Sequence, residues 1–142
     1  MTRTVNNSQD ILDSRDVIAR LDELESGREE LSEALDDADG AGEVDDARQA
    51  LSEWDEENAE ELRALKALAA EGEGSPDWMH GETLIRETYF KEYAQQLAED
   101  CGMLENADTW PGRCIDWKQA AKELKQDYFS VDFDGVDYWV RA

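Results

Sequence analysis

Cysteine, histidine and proline are scarce in this chain, and each shortage removes a class of answer. Two cysteines, Cys101 and Cys114, lie 13 residues apart, no CxxC pair occurs, and His80 is the only histidine. Ligands so few and so spaced do not build a zinc site. The thiols are expected free, buried or half-buried, in a reducing cytoplasm. Only two prolines accompany five Trp, four Tyr and three Phe, which argues for a folded chain rather than a disordered one. No run of about 18 apolar residues is available to span a bilayer, and the first residues lack the apolar core of a signal peptide.

Catalytic patterns are missing as well. GxSxG, GxGxxG and the P-loop pattern do not occur, nor do the ExxH pairs of carboxylate metal sites in bundles. His80, after Trp78 and Met79, is a weak general base by itself. The clusters Asp36-Asp37-Asp39, Asp45-Asp46 and Asp132-Asp134-Asp137 do not fit the twelve-residue calcium loop, with its central glycine and terminal glutamate. They read as surface acids. The expectation is a cytoplasmic protein that is not an enzyme, with no catalytic residue, metal or cofactor.

Bases are the remaining shortage: 14 Lys and Arg against 37 Asp and Glu in 142 residues, a formal net charge of −23. A polyanion of this kind avoids DNA, RNA and anionic membranes, and lacks the basic groove that single-strand stacking needs. It approaches basic surfaces quickly, and salt weakens that approach. Self-repulsion destabilises the compact state, so the charge calls for an offsetting advantage.

The acids are concentrated on two helical runs. Residues 1–8 are polar and expected to fray. Ser14 is placed to cap a helix from Arg15, whose seam is Val17, Leu21, Leu24, Leu31 and Leu35. Gly27 interrupts it, at a cost of about 1 kcal/mol relative to alanine. Asp39-Gly40-Ala41-Gly42 ends that helix. A second runs from Val44 to Ala70 along Val44, Leu51, Trp54, Leu62, Leu65 and Leu68. Two such helices joined by a short turn fold back as an antiparallel hairpin, or pair their stripes across a homodimer.

Glu71 to Pro76 has linker composition, and charge divides unevenly there. Residues 1–75 carry 23 acids and 7 bases, net −16; residues 76–142 carry 14 and 7, net −7. The expected organisation is an acidic coiled-coil-like hairpin over 1–75 and a small α+β module over 76–142. In the second, a helix from Gly81 to Asp100 carries Ile85, Tyr89, Tyr93 and Leu97, and a loop follows around Trp110-Pro111. Asp116 caps a short helix carrying Lys118, Lys122 and Lys125, which suit its exposed and C-terminal side. Phe129, Val131 and Phe133 alternate before Asp134-Gly135, and Val136, Tyr138 and Val140 alternate after it. That pattern is a β-hairpin with a type I′ turn. The module's expected core is Leu84, Ile85, Phe90, Leu97, Ile115, Trp117, Leu124, Phe129, Val131 and Tyr138. The fold class is thus α+β and mostly helical.

The acidic surface itself is the strongest feature for function. A helix of about 24 residues spans about 36 Å, and B-DNA carries one negative charge per about 1.7 Å of axis. Carboxylates at three- and four-residue spacing along two adjacent helices approximate a rod of phosphates. The residues singled out are Asp22, Glu25, Glu29, Glu33 and Asp36 on the first helix, and Glu53, Glu56, Glu57, Glu60 and Glu61 on the second. Asp132, Asp134 and Asp137 of the hairpin join them. Trp139 alternates away from Tyr138 and Val140, onto the opposite hairpin face, as an interface anchor. A solvated acidic surface, and a Trp139 buried under a loop or helix, are the bland alternatives.

The stretches YFKEYAQQLAEDCG (Tyr89–Gly102) and WPGRCIDWKQAAKELKQDYFSVDFDGVDYWVR (Trp110–Arg141) resemble antirestriction proteins of the ArdA type, carried by phages and plasmids. The likeness covers the C-terminal part only, and is best from Ile115 to Arg141. It implies an acidic duplex-DNA mimic, elongated and usually dimeric. Such a mimic occupies the DNA groove of type I restriction–modification enzymes. The N-terminal helical hairpin departs from that family's α/β N-terminal domains, so the resemblance implies a shared last module joined to a different arm. The partner implied is the basic DNA-binding groove of a host restriction enzyme. A CRISPR effector is the alternative target, and a coiled-coil adaptor the alternative class.

Overall fold

The computed structural model describes residues 5–106 and 108–142. The chain is mostly helical with one four-stranded antiparallel sheet, an α+β fold as the sequence implies. Strand β1 (Ile11–Asp13) leads into helix α1 (Ser14–Asp37), and α2 (Ala41–Gly72) folds back against it. A single turn, α3 (Trp78–Gly81), precedes β2 (Thr83–Arg86) and α4 (Phe90–Asp100). Helix α5 (Trp117–Leu124) and strands β3 (Tyr128–Phe133) and β4 (Val136–Arg141) complete the chain. The spatial order of the sheet is β1-β2-β4-β3.

Side-chain alternation gives the sheet two faces, and each is covered by helices. Leu12, Leu84, Val140 and Phe129 lie in register across one face, with Tyr138 beside Val131. They pack on Val17, Leu24, Leu65 and Leu68 of the helical hairpin. Ile85, Trp139 and Tyr128 point the other way, onto Phe90 and Ala94 of α4 and Ala121 and Leu124 of α5. The alternation of Trp139 against its neighbours is therefore as the sequence implies.

The β-hairpin turn has φ +49° at Asp134 and +88° at Gly135, the two positive values that a type I′ turn requires. Asp116 caps α5, accepting from the Gln119 amide at 3.2 Å.

Several expectations need correction. Ser14 is not the cap of α1. Asp13 fills that role, accepting from the Arg15 amide at 2.8 Å. Ser14 is fully buried instead: its hydroxyl donates to the Trp78 carbonyl at 2.7 Å and accepts from the Glu82 amide at 2.6 Å. The helix expected from Gly81 to Asp100 is a strand, a 3-10 turn and a shorter helix. Gly81, at φ +111°, ends α3, and Thr83–Arg86 joins the sheet as an inner strand. An inner strand is buried on both faces, so Leu84 and Ile85 are both covered although adjacent in sequence.

Residues 5–8 do not form a loose end: Val5 is in the core, and Tyr138 Oη donates to the Gln9 carbonyl at 2.5 Å. Residues 1–4 lie outside the described residues. The stretch read as a linker is the end of α2 and a tight turn. Ser75 is buried there, and its amide donates to the Gly72 carbonyl at 2.9 Å. The segments on either side share one sheet and one core, because β1 pairs with β2 and Val131 and Tyr138 pack with the hairpin helices. Ile115, expected inside, is 39 % exposed; Cys101 and Cys114 are free, as expected, but exposed.

Candidate functional site: the acidic helical arm

Residues 14–72 carry 20 acids and 6 bases, net −14. The apolar seam decides which acids face water. At the root of the arm Val17, Leu24, Leu65 and Leu68 are buried. Between Leu24 and Ala64 no residue is buried, and Leu31, Leu35, Val44, Leu51 and Trp54 are half-buried. The Trp54 ring lies against α1 at Gly27, where an added Cβ would meet its indole nitrogen at 3.4 Å, an ordinary contact.

Bases in the arm are spent on holding it together. Arg20 forks onto Glu61 at 2.8 and 2.9 Å and also reaches Glu23 at 2.9 Å. Arg28 meets Asp55 at 3.0 Å, and Lys66 lies 3.9 Å from Glu25. Arg48 lies 4.0 Å from Asp45, while Arg63 reaches Asp134 at 3.4 Å and Glu60 at 3.9 Å. The Glu61 and Glu23 carboxylates, together, hold the Arg20 guanidinium above its ordinary range despite partial burial.

Of the residues singled out, Asp22, Glu29, Glu33, Asp36, Glu56 and Glu57 are exposed on α1 and α2. Glu53 is exposed and accepts from Gln49 at 3.1 Å. Glu25 and Glu60 are exposed with long ion pairs. Glu61 does not belong with them: it is half-buried and engaged by Arg20.

The hairpin aspartates divide. Asp134, in the turn, comes to α2 through Arg63. Asp132 and Asp137 are paired across the strands and share the face of Trp139, away from the arm. They do not extend the arm's carboxylate surface. Trp139 is not an open anchor either. Its ring packs against Phe90 at 6.1 Å, Lys125 Nζ lies over it at 4.8 Å, and its indole nitrogen donates to Glu87. Burial raises the Glu87 carboxyl, but hydrogen bonds from Lys125 and Trp139 outweigh this and hold it below its ordinary value.

Large apolar groups do reach solvent elsewhere: Trp110 is 74 % and Met103 82 % exposed, in the loop before α5. The sequence placed Trp110 in that loop but gave no sign that it would stay uncovered. Among the described residues no group of three or more His, Cys, Asp or Glu is arranged to hold a metal ion. No helix among them is long and apolar enough to cross a membrane.

No family model, curated protein or solved structure matches this chain.

The arm presents a dense line of charge. Helix α2 has 32 residues, about 48 Å. The arm's net charge over that length is about one per 3.4 Å, the density of one DNA strand and half that of a duplex. Acids stand even where the backbone disfavours them. Asp36 and Asp37 end α1, against the negative pole of its dipole, and neither α1 nor α2 has a base in its last turn.

Proposed function

We propose that this protein is a non-catalytic acidic mimic of DNA that inhibits a host DNA-binding defence enzyme by occupying its basic groove. The observation that carries the reading is the arm: a helical hairpin whose net negative charge runs along both helices at the charge density of a nucleic-acid strand. A merely soluble surface needs neither that length nor acids against the helix dipole. The resemblance of Trp110–Arg141 to ArdA-type antirestriction proteins favours a type I restriction–modification complex as target, with a CRISPR effector as the next choice. In this reading the carboxylates replace phosphates on lysines and arginines that grip DNA. Binding is fast, competitive with DNA and weakened by salt.

The test is restriction in cells. Unmodified phage, plated on a host with an active type I system, recover to the level of modified phage when the protein is present. The variant E53Q/E56Q/E57Q/E60Q loses that protection while remaining folded. Glu61 is left intact because it braces Arg20. Full protection by the variant removes the arm from the mechanism. Unchanged plating with abundant soluble protein removes the type I target.

The exposed Trp110 and Met103 favour a second reading, an adaptor that binds protein through an aromatic patch. It predicts binding that survives high salt and fails in W110A.

A further inference from the structure

Four of the chain's five lysines line one cleft. Lys91 comes from α4, and Lys118, Lys122 and Lys125 from α5 or its last turn, so the cluster exists only once the two helices pack. The cleft encloses about 460 Å³, and its floor is the buried Phe90 and Ala121.

These lysines are treated differently from the bases of the arm. Each of the six arm bases meets a carboxylate within 4.0 Å. Lys91, Lys118 and Lys122 have no ion pair among the described residues, in a chain with 37 acids. Lys125 is fixed in place: its ammonium sits 2.8 Å from Glu87, 5.2 Å from the Phe90 ring centroid and 4.8 Å from that of Trp139. The sheet separates this cluster from the acidic arm, since α4 and α5 cover one face and α1 and α2 the other.

We propose that this cleft binds a small organic phosphate monoester. Four lysines against the lining carboxylates Glu87 and Asp116 leave +2, which matches a phosphate dianion. Lysine ammoniums are compact point charges suited to a tetrahedral phosphate, and no arginine fork is present to favour a planar carboxylate. The volume falls in the range of about 300–1,000 Å³ typical of small-molecule sites, larger than a bare ion needs. The site is independent of the arm and of the proposed inhibition.

The experiment is an amide NMR titration of the full chain, without magnesium and at low salt. The probes are AMP, inorganic phosphate, adenosine and a hexaglutamate peptide, each to about 10 mM, a span that reveals millimolar affinity. AMP is expected to shift Lys91 and the 118–125 amides saturably, more tightly than inorganic phosphate, with adenosine silent. K118Q/K122Q, on the exposed face of α5, weakens AMP about tenfold, and R48Q/K66Q on the arm does not. Phosphate binding as tightly as AMP overturns the organic part of the proposal. It fails entirely if AMP gives no saturable shift, if K118Q/K122Q binds unchanged, or if hexaglutamate takes the cleft more tightly than AMP.

Discussion

The two faces of the sheet are built to different rules. On the face of Leu84 and Val140, two long helices are anchored by their roots only, and their outer parts carry charge of one sign. On the face of Ile85 and Trp139, two short helices enclose aromatic rings, and lysines of opposite sign gather at their junction. The first face extends; the second closes. The difference shows how a chain with net −23 tolerates its charge. Repulsion is spread along the outer arm, where no residue between Leu24 and Ala64 is buried, while the cores on both faces of the sheet lie away from it.

Truncating Phe90, nearly fully buried at the centre of the closed face, has the largest expected effect. Phe90→Ala is expected to cost about 3–5 kcal/mol in denaturant unfolding. The matching change in the outer arm, Leu51→Ala, is expected to cost about 1 kcal/mol because the residue is only half-covered. Equal costs would mean that the arm is packed as well as the core.

Next is the joint between the arm and the segment that leads into β2. Ser14→Ala leaves the half-buried Glu82 amide without its acceptor and is expected to cost about 1–3 kcal/mol. A loss below about 0.5 kcal/mol, the range of a neutral surface change, would mean that another group takes over the bond.

The pH response separates the faces too. Burial, then the Tyr93 hydroxyl at 3.5 Å, raises the Tyr128 phenol above its ordinary range. The unfolded phenol loses its proton near about pH 10 and the folded one does not, so stability falls as pH rises through that value. Tyr128→Phe is expected to flatten the alkaline limb of a stability–pH curve; an unchanged limb would assign it to other groups, such as Tyr138.

The smallest effect has the opposite sign. E53Q/E56Q/E57Q/E60Q relieves repulsion and is expected to raise stability by a few tenths of a kcal/mol at low salt, with little gain at about 1 M salt, where the screening length is about 3 Å. Chemical melts at the two salt levels give the comparison.

What the sequence made legible was local. The long apolar seams, the Asp116 cap and the Asp134-Gly135 turn each rest on chemistry within a few residues, and each is found in the fold. What it concealed was assembled at long range. Ile11–Asp13 and Thr83–Arg86 are too short to show a period, and they become strands only because each finds its neighbour. Leu84 and Ile85, adjacent and both apolar, fitted a helical stripe as readily as an inner strand. The arm's acids were visible, but the loss of Glu61 to Arg20 was not, since 41 residues separate the pair. Lys118, Lys122 and Lys125 read as ordinary helix-end charges until α4 brought Lys91 beside them.

The half-covered outer seam of the arm has a mechanical consequence. A beam clamped at one end is displaced most at its free tip, and here the clamp is the buried root around Val17 and Leu68. Amide exchange should therefore quicken in a gradient from the sheet toward Gly40. Under the proposed function, a charged rod that flexes this way follows the curve of its groove, so one arm fits channels that differ in bend.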